Sequence, residues 1–236
     1  MSSPPRVVVP GCVLADGATV LLPEAESRHL RVARFGEGDD VVLLDGTGGR
    51  AAARLAAGGR EAVVTALQPP RGEPSRRVSL LLGVGETARV EWAVEKGTEC
   101  GAARFLLVAA ARSQRPHVAA AAARLERLRR IAAEAAKQCD RTVVPAVLPP
   151  RPLAELLAGL AGPLLVARPG APLLSAPRAG RSDVAVAVGP EGGFDAEEEE
   201  LLEAAGGVSF GLGPRVLRLE TAVVAALARL VDDEEP

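Results

Sequence analysis

Two glycine-bearing segments near the C-terminal end constrain the fold of this 236-residue chain more than any other feature. Gly189-Pro190-Glu191-Gly192-Gly193-Phe194 follows the apolar run Val184–Val188, and Leu212-Gly213-Pro214-Arg215-Val216-Leu217-Arg218-Leu219-Glu220-Thr221-Ala222 follows the run 208–212. Each run reads as a buried strand, and each segment leads into a helix-like stretch. Gly-rich turns at the carboxyl ends of strands are where an open α/β sheet receives a small ligand. Glycines also serve wherever a plain turn needs positive φ, so taken alone they fit either role. No Lys-Ser or Lys-Thr follows the first set, which is therefore not a phosphate-binding P-loop. Asp195, with Glu198 three residues on, predicts a capping box inside the acidic run 197–200. Carboxylates there satisfy the positive end of the helix and repel a second anion. A neutral or cationic ligand suits this loop better than a phosphate.

The rest of the chain divides at 69–75, Pro-Pro-Arg-Gly-Glu-Pro-Ser. Before it, short strand-like runs at 7–9, 19–22, 41–44, 51–55 and 62–67 alternate with turn signals such as Asp45-Gly46, Gly48-Gly49 and Gly58-Gly59. One helix is predicted among them, with Pro23 at its first position, running to about Phe35 and ended by Gly36. This pattern reads as a small β-barrel. After the break, strands at 78–84, 104–110, 143–147 and 164–167 alternate with helices at 88–100, 118–139 and 153–160, and the two motif-bearing strands follow. Such alternation predicts a mostly parallel sheet covered by helices on both faces. The expected division is a barrel domain over 1–70, a linker over 71–77 and an α/β domain over 78–236.

Composition narrows the function. No apolar run is long enough to span a bilayer and the N-terminus carries no signal core, so a cytoplasmic protein without a membrane partner is expected. Cys12, Cys100 and Cys139 are scattered, and with His29 and His117 they offer no ligand spacing, so no metal is expected. The formal net charge is −2. Yet residues 1–150 carry 21 Lys+Arg against 16 Asp+Glu, while residues 151–236 carry 7 against 14. Nine basic and three acidic residues fall between Arg104 and Arg141. A basic strip on a nearly neutral protein suits a specific RNA better than indiscriminate phosphate coating. Candidate RNA contacts are Arg28, His29, Arg31 and Arg34 on the first helix, Arg112 and Arg115 after a strand, and Lys137 and Arg141 at the end of the long helix. A solvated face laced with i,i+4 ion pairs accounts for the same charges. Aromatic content of 2% leaves few stacking platforms, which weighs against a broad single-strand binder.

The two C-terminal segments, in this order and spacing, resemble the knotted methyltransferases of the SPOUT class, and within it the 16S ribosomal RNA uridine N3-methyltransferases. Ser27-Arg28-His29-Leu30-Arg31-Val32-Ala33-Arg34 is similar to that family's N-terminal signature. Glu95-Lys96-Gly97-Thr98-Glu99-Cys100-Gly101 resembles its K-x-x-E-x-G element, and Ala135-Ala136-Lys137-Gln138-Cys139-Asp140-Arg141 with Pro145 resembles its A-x-Q-C-x-R…P element. The matches run from about Arg6 to Ala222.

The resemblance implies an α/β protein with an N-terminal PUA-like β-barrel and a C-terminal trefoil-knot domain. It implies S-adenosylmethionine held bent between three loops. Ala167, Arg168 and Pro169 belong to the first loop, Gly189, Pro190, Glu191, Gly192 and Gly193 to the second, and Leu212, Gly213, Val216 and Leu217 to the third. Small-subunit 16S rRNA is the implied partner, and a homodimer the implied assembly. For catalysis, uridine N3 must lose its weakly acidic imide proton. Arg218 is placed to stabilise the developing imidate, and Glu220 to orient that arginine or accept the proton. Leu219 stands where many relatives carry Thr, so no hydroxyl role is assigned there.

Rival readings remain open at this point. Gly83-Val84-Gly85-Glu86-Thr87-Ala88 after a strand matches the dinucleotide fingerprint G-x-G-x-x-A, with Arg112 available for a 2′-phosphate, as in an NADP-dependent oxidoreductase. A knotted methyltransferase acting on a ribose 2′-hydroxyl or guanine N1 is a second, and a non-catalytic RNA-binding module a third.

Overall fold

The computed structural model describes residues 4–173 and 183–231. Its described chain falls into two compact units, one of residues up to Glu73 together with Ala136–Val144, the other of Pro74–Ala135 and the chain from Pro145 onward.

Alternation at period two builds the first unit. In β4 (Arg50–Leu55) Ala51, Ala53 and Leu55 point inward, and in β5 (Glu61–Gln68) Ala62 and Val64 join them. With β1 (Arg6–Val8), β2 (Thr19–Leu21) and β3 (Asp40–Leu44) these form a curled five-stranded mixed sheet, a half-barrel, in the order β1-β3-β4-β5-β2. β1 runs parallel to β3 and the other pairs are antiparallel. Helix α1 (Glu24–Val32) buries Leu30 in the same core. It begins after Pro23, which caps it rather than opening it, and it ends before Gly36. Arg34, at φ 67°, takes the left-handed conformation where the helix stops.

β3 is buried on both faces, which a half-exposed barrel strand would not be. Val41 and Leu43 face the main core, whereas Val42 and Leu44 pack with Val8 against Val144. Val144 comes from the downstream segment Ala136–Val144, which ion pairs fasten into this unit. Asp140 sits in the left-handed region at φ 63° and faces Arg6 at 2.5 Å, Arg71 at 3.2 Å and Arg50 at 3.4 Å. Glu73 accepts from Arg141 at 2.8 Å and from the Val143 N–H at 2.8 Å. Lys137 meets Glu26 at 2.7 Å.

The second unit is the α/β half. Six parallel strands, β6 (Val78–Gly83), β7 (Ala102–Val108), β8 (Ala146–Arg151), β9 (Leu164–Ala167), β10 (Val184–Val188) and β11 (Val208–Phe210), lie in the order β11-β9-β10-β6-β7-β8. The continuous apolar runs of β6 and β10 are buried along their whole length, as central parallel strands covered on both faces must be. β8 tolerates Pro149 and Pro150 because it is an edge strand, where a missing N–H breaks no ladder on the open side. Helices α2 (Thr87–Glu99), α5 (Leu153–Ala158), α6 (Ala196–Ala204) and α7 (Leu219–Leu230) fall close to the expected stretches. The single helix expected over 118–139 is instead two, α3 (Arg115–Ala123) and α4 (Leu125–Gln138). The chain turns between them at Arg124, with φ −103° and ψ 15°.

Backbones approach one another closely just beyond the carboxyl ends of β9 and β11. Leu173 bridges to Gly211, and a side chain at position 211 would run into the Ala171 carbonyl. Glycine is required there by approach rather than by φ. No helix among the described residues is long and apolar enough to cross a membrane.

Candidate active site

Strands β9, β10 and β11 are parallel neighbours, so their carboxyl ends open on one edge of the sheet. The loops that follow them enclose a cavity of about 480 Å³. Ala167, Arg168 and Pro169 line it from the first loop, Gly189, Pro190, Glu191, Gly192 and Gly193 from the second, and Leu212, Gly213, Val216 and Leu217 from the third. Every residue that the three-loop expectation named therefore faces one space. That volume lies in the range of small-molecule sites. Val188, Phe194, Leu212, Leu217 and Leu219 make apolar walls suited to a flat ring, and the glycine-rich loop offers backbone donors and acceptors. The residues present thus fit an adenosine-bearing cofactor.

Local chemistry explains why these loops hold their shape. Asp195 caps α6, accepting from the Glu198 N–H at 2.9 Å, while Glu198 accepts from the Asp195 N–H at 3.1 Å. The other oxygen of Glu198, a buried residue, accepts from Ala111 N–H at 2.9 Å and so fastens the loop after β7 to the start of α6. In that loop Arg112 donates to the Gly192 carbonyl at 2.9 Å. Arg168 is committed as well. Its guanidinium donates to Ser209 Oγ at 2.6 Å, pairs with Glu199, and lies 3.5 Å from Glu203. Its Nε is buried without an acceptor among the described residues. The side chain thus braces β9 against β11 and α6, leaving the loop's backbone to meet a ligand.

Arg218 stands at the cap of α7 in extended backbone, exposed, with its side chain on the cavity wall. Glu220, two residues on, is not on the wall. Its Oε2 is buried with no hydrogen-bond partner among the described residues, and Arg89 Nη1 lies 3.8 Å from it.

The dinucleotide reading of residues 83–88 meets a physical obstacle. The space beside Gly83 is filled by the Gly189–Pro190 backbone, and that beside Gly85 by the Glu191 carboxylate. These glycines admit the cofactor-side loop, and a carboxylate stands where a pyrophosphate would need donors.

The basic residues separate into two groups. Arg28, His29, Arg31 and Arg34 are all exposed on or just after α1, and Arg115 opens α3 in an exposed position. Lys137 and Arg141 require a correction. Arg141 is 3% and Lys137 8% exposed, each in an ion pair inside the first unit, so neither presents its charge to an RNA surface. Two arginines on the wall were not foreseen. Arg89 and Arg215 both line the cavity, Arg89 from α2, a helix distant in sequence from the three loops. The available signal was a cation in the first turn of a helix, where the dipole disfavours it. No cluster of three or more His, Cys, Asp or Glu among the described residues is arranged to hold a metal ion.

Comparison with known proteins agrees with this geometry. A family model described as an RNA methyltransferase domain matches residues 72–231, and one described as an RNA methyltransferase PUA domain matches residues 22–67. Ribosomal RNA small subunit methyltransferase E of Bacillus subtilis is 31% identical over 235 residues, covering 92% of this chain and 91% of its own. The protein of the same name from Synechocystis is 32% identical over 225 residues, covering 90% and 73%. The crystal structure of ribosomal RNA small subunit methyltransferase E from Neisseria gonorrhoeae bound to S-adenosyl methionine superposes with a TM-score of 0.87. It is 31% identical and covers 96% of each chain.

Proposed function

Since the chain belongs to the ribosomal RNA small subunit methyltransferase E family, we propose that it transfers the methyl group of S-adenosylmethionine to N3 of a uridine in 16S rRNA of the small subunit. The observation that carries this is the cavity at the carboxyl ends of β9, β10 and β11, walled by three loops and by Arg218. When bound there, S-adenosylmethionine supplies a methyl group already activated on a sulfonium. The protein's own work is to position and to stabilise charge.

The three loops hold the cofactor through backbone groups and apolar walls. Arg168, locked by Ser209 and Glu199, keeps the first loop at its distance from the third. Arg218 faces the space where a uracil carbonyl would carry the charge left when the N3 proton departs, and its guanidinium stabilises that imidate. Glu220, behind the wall beside Arg89, acts on the geometry of this turn. In the PUA-like unit the exposed Arg28, His29, Arg31 and Arg34 contact rRNA, and in the α/β unit Arg112 and Arg115 do so. The protein works in the cytoplasm as a homodimer; the expected division at 1–70, 71–77 and 78–236 differs from the two compact units, which part between Glu73 and Pro74 and place Ala136–Val144 in the first.

The test is incubation of purified small ribosomal subunits with methyl-labelled S-adenosylmethionine, followed by mass spectrometry of the nucleosides. Labelled 3-methyluridine is expected. Labelled 2′-O-methyl nucleosides in its absence would move the activity to another atom.

A further inference from the structure

We infer that Arg89 is the positioning residue of this site, a cation that holds the Arg218–Glu220 turn and the Glu191 loop in register. The inference rests on the proposed methyl transfer. Arg89 is the third residue of α2, a place where the positive end of the helix disfavours a cation. Three carboxylates from three separate elements gather on it instead. Nε meets Glu86 Oε2, just before α2, at 3.1 Å and Glu191 Oε1, after β10, at 3.4 Å. Nη1 lies 3.8 Å from Glu220 Oε2, in the first turn of α7. The hydrogen bond that Arg89 donates to Glu86, foremost, and the charges of Glu220, Glu86 and Glu191 hold the guanidinium above its ordinary pKa against desolvation.

Local rules broken without local gain mark functional placement. Gly85 reinforces the point, because its missing side chain makes the room that the Glu191 carboxylate occupies. Glu220 is the most shielded of the three, with a side chain 15% exposed and an Oε2 that accepts no hydrogen bond among the described residues. Without Arg89, three like charges would face one another in a half-buried corner. The turn carrying Arg218 would then move away from the position that stabilises the imidate. An ångström of such displacement is enough to cost about two orders of magnitude in rate.

The experiment compares wild type, Arg89→Met, Arg89→Lys, Glu220→Gln and the Arg89→Met/Glu220→Gln double variant. It reads methyl transfer to small-subunit RNA, cofactor affinity by calorimetry, and amide hydrogen exchange. Arg89→Met is expected to lower turnover about 100-fold while cofactor affinity falls no more than about tenfold. Arg89→Lys, which keeps the charge, stays within about tenfold of wild type. In the Glu220→Gln background the loss of Arg89 costs less than about threefold more, because the most shielded of the three charges, the one on the Arg218 turn, has been removed. Full multiplication of the two losses overturns the inference, as does a drop in affinity with turnover intact. Exchange in the first turn of α7 and across 189–193 is expected to quicken about tenfold in Arg89→Met. Unchanged exchange there overturns the tie by itself. A wild type that transfers no methyl group overturns the proposed function instead, and the exchange comparison still decides the role of Arg89.

Discussion

Arg218 and Arg141 are both single arginines at the margin of a helix, yet their surroundings give them opposite work. Arg218 is an exposed residue on the cavity wall. Arg218→Ala is expected to lower turnover by at least about 100-fold, the scale of losing one charge-stabilising donor, with cofactor affinity within about threefold. Single-turnover kinetics beside calorimetry checks this, and near-normal turnover removes Arg218 from the mechanism. Arg141 is 3% exposed and paired with Glu73. Truncating one partner of a buried pair strands the other charge. Arg141→Met is therefore expected to cost about 3 kcal/mol of stability in urea unfolding. A loss under about 0.5 kcal/mol would show the pair to be idle. The sequence alone could not separate these two residues. The partners of Lys137 and Arg141 lie 111 and 68 positions away, so whether their charges face solvent or a carboxylate is decided by tertiary placement. Arg89 was illegible for the same reason, since Glu191 and Glu220 reach it from elements more than a hundred residues downstream.

Among the elements, those read best were governed by local chemistry. The Asp195–Glu198 capping box is present as its spacing requires, and the buried runs of β6 and β10 are central strands. The break at Arg124 was hidden because apolar and basic residues keep helical spacing through it, and no glycine or proline marks the turn. An ion pair ties α4 to α2. Glu91 accepts from Arg127 Nε at 2.6 Å and Nη2 at 2.9 Å. That hydrogen bond, with the Arg127 and Arg124 charges behind it and burial opposing, holds the Glu91 carboxyl below its ordinary 4.5. A depressed carboxyl pKa adds stability above the unfolded value and loses it as pH falls through the folded one. With Arg127 half exposed, Glu91→Gln is expected to lower stability by only about 0.5 kcal/mol at pH 7. The difference from wild type should close as pH drops below 4.5, the ordinary value. Urea unfolding at pH 7 and pH 3 checks it, and a pH-independent difference would assign the effect to packing.

At the scale of the whole molecule, the cavity takes its form from topology more than from any one residue. Parallel β9, β10 and β11 bring three loops to one edge, although those loops lie some twenty residues apart along the chain. Two of the three could be read from their glycines. The first, at 167–169, carries no such mark and was placed by family resemblance. The segment Ala136–Val144 shows the opposite limit. Its sequence reads as a helix end and the start of a strand, but Val144 and three ion-paired residues make it part of the first unit. The claim on which all of this turns is that the three-loop cavity is a nucleoside–sulfonium site. Titration calorimetry of S-adenosylmethionine into the full chain tests it most directly. Saturable binding of one cofactor per chain is predicted, displaced by S-adenosylhomocysteine and unaffected by NADP; the absence of saturable heat, or displacement by NADP, would contradict it.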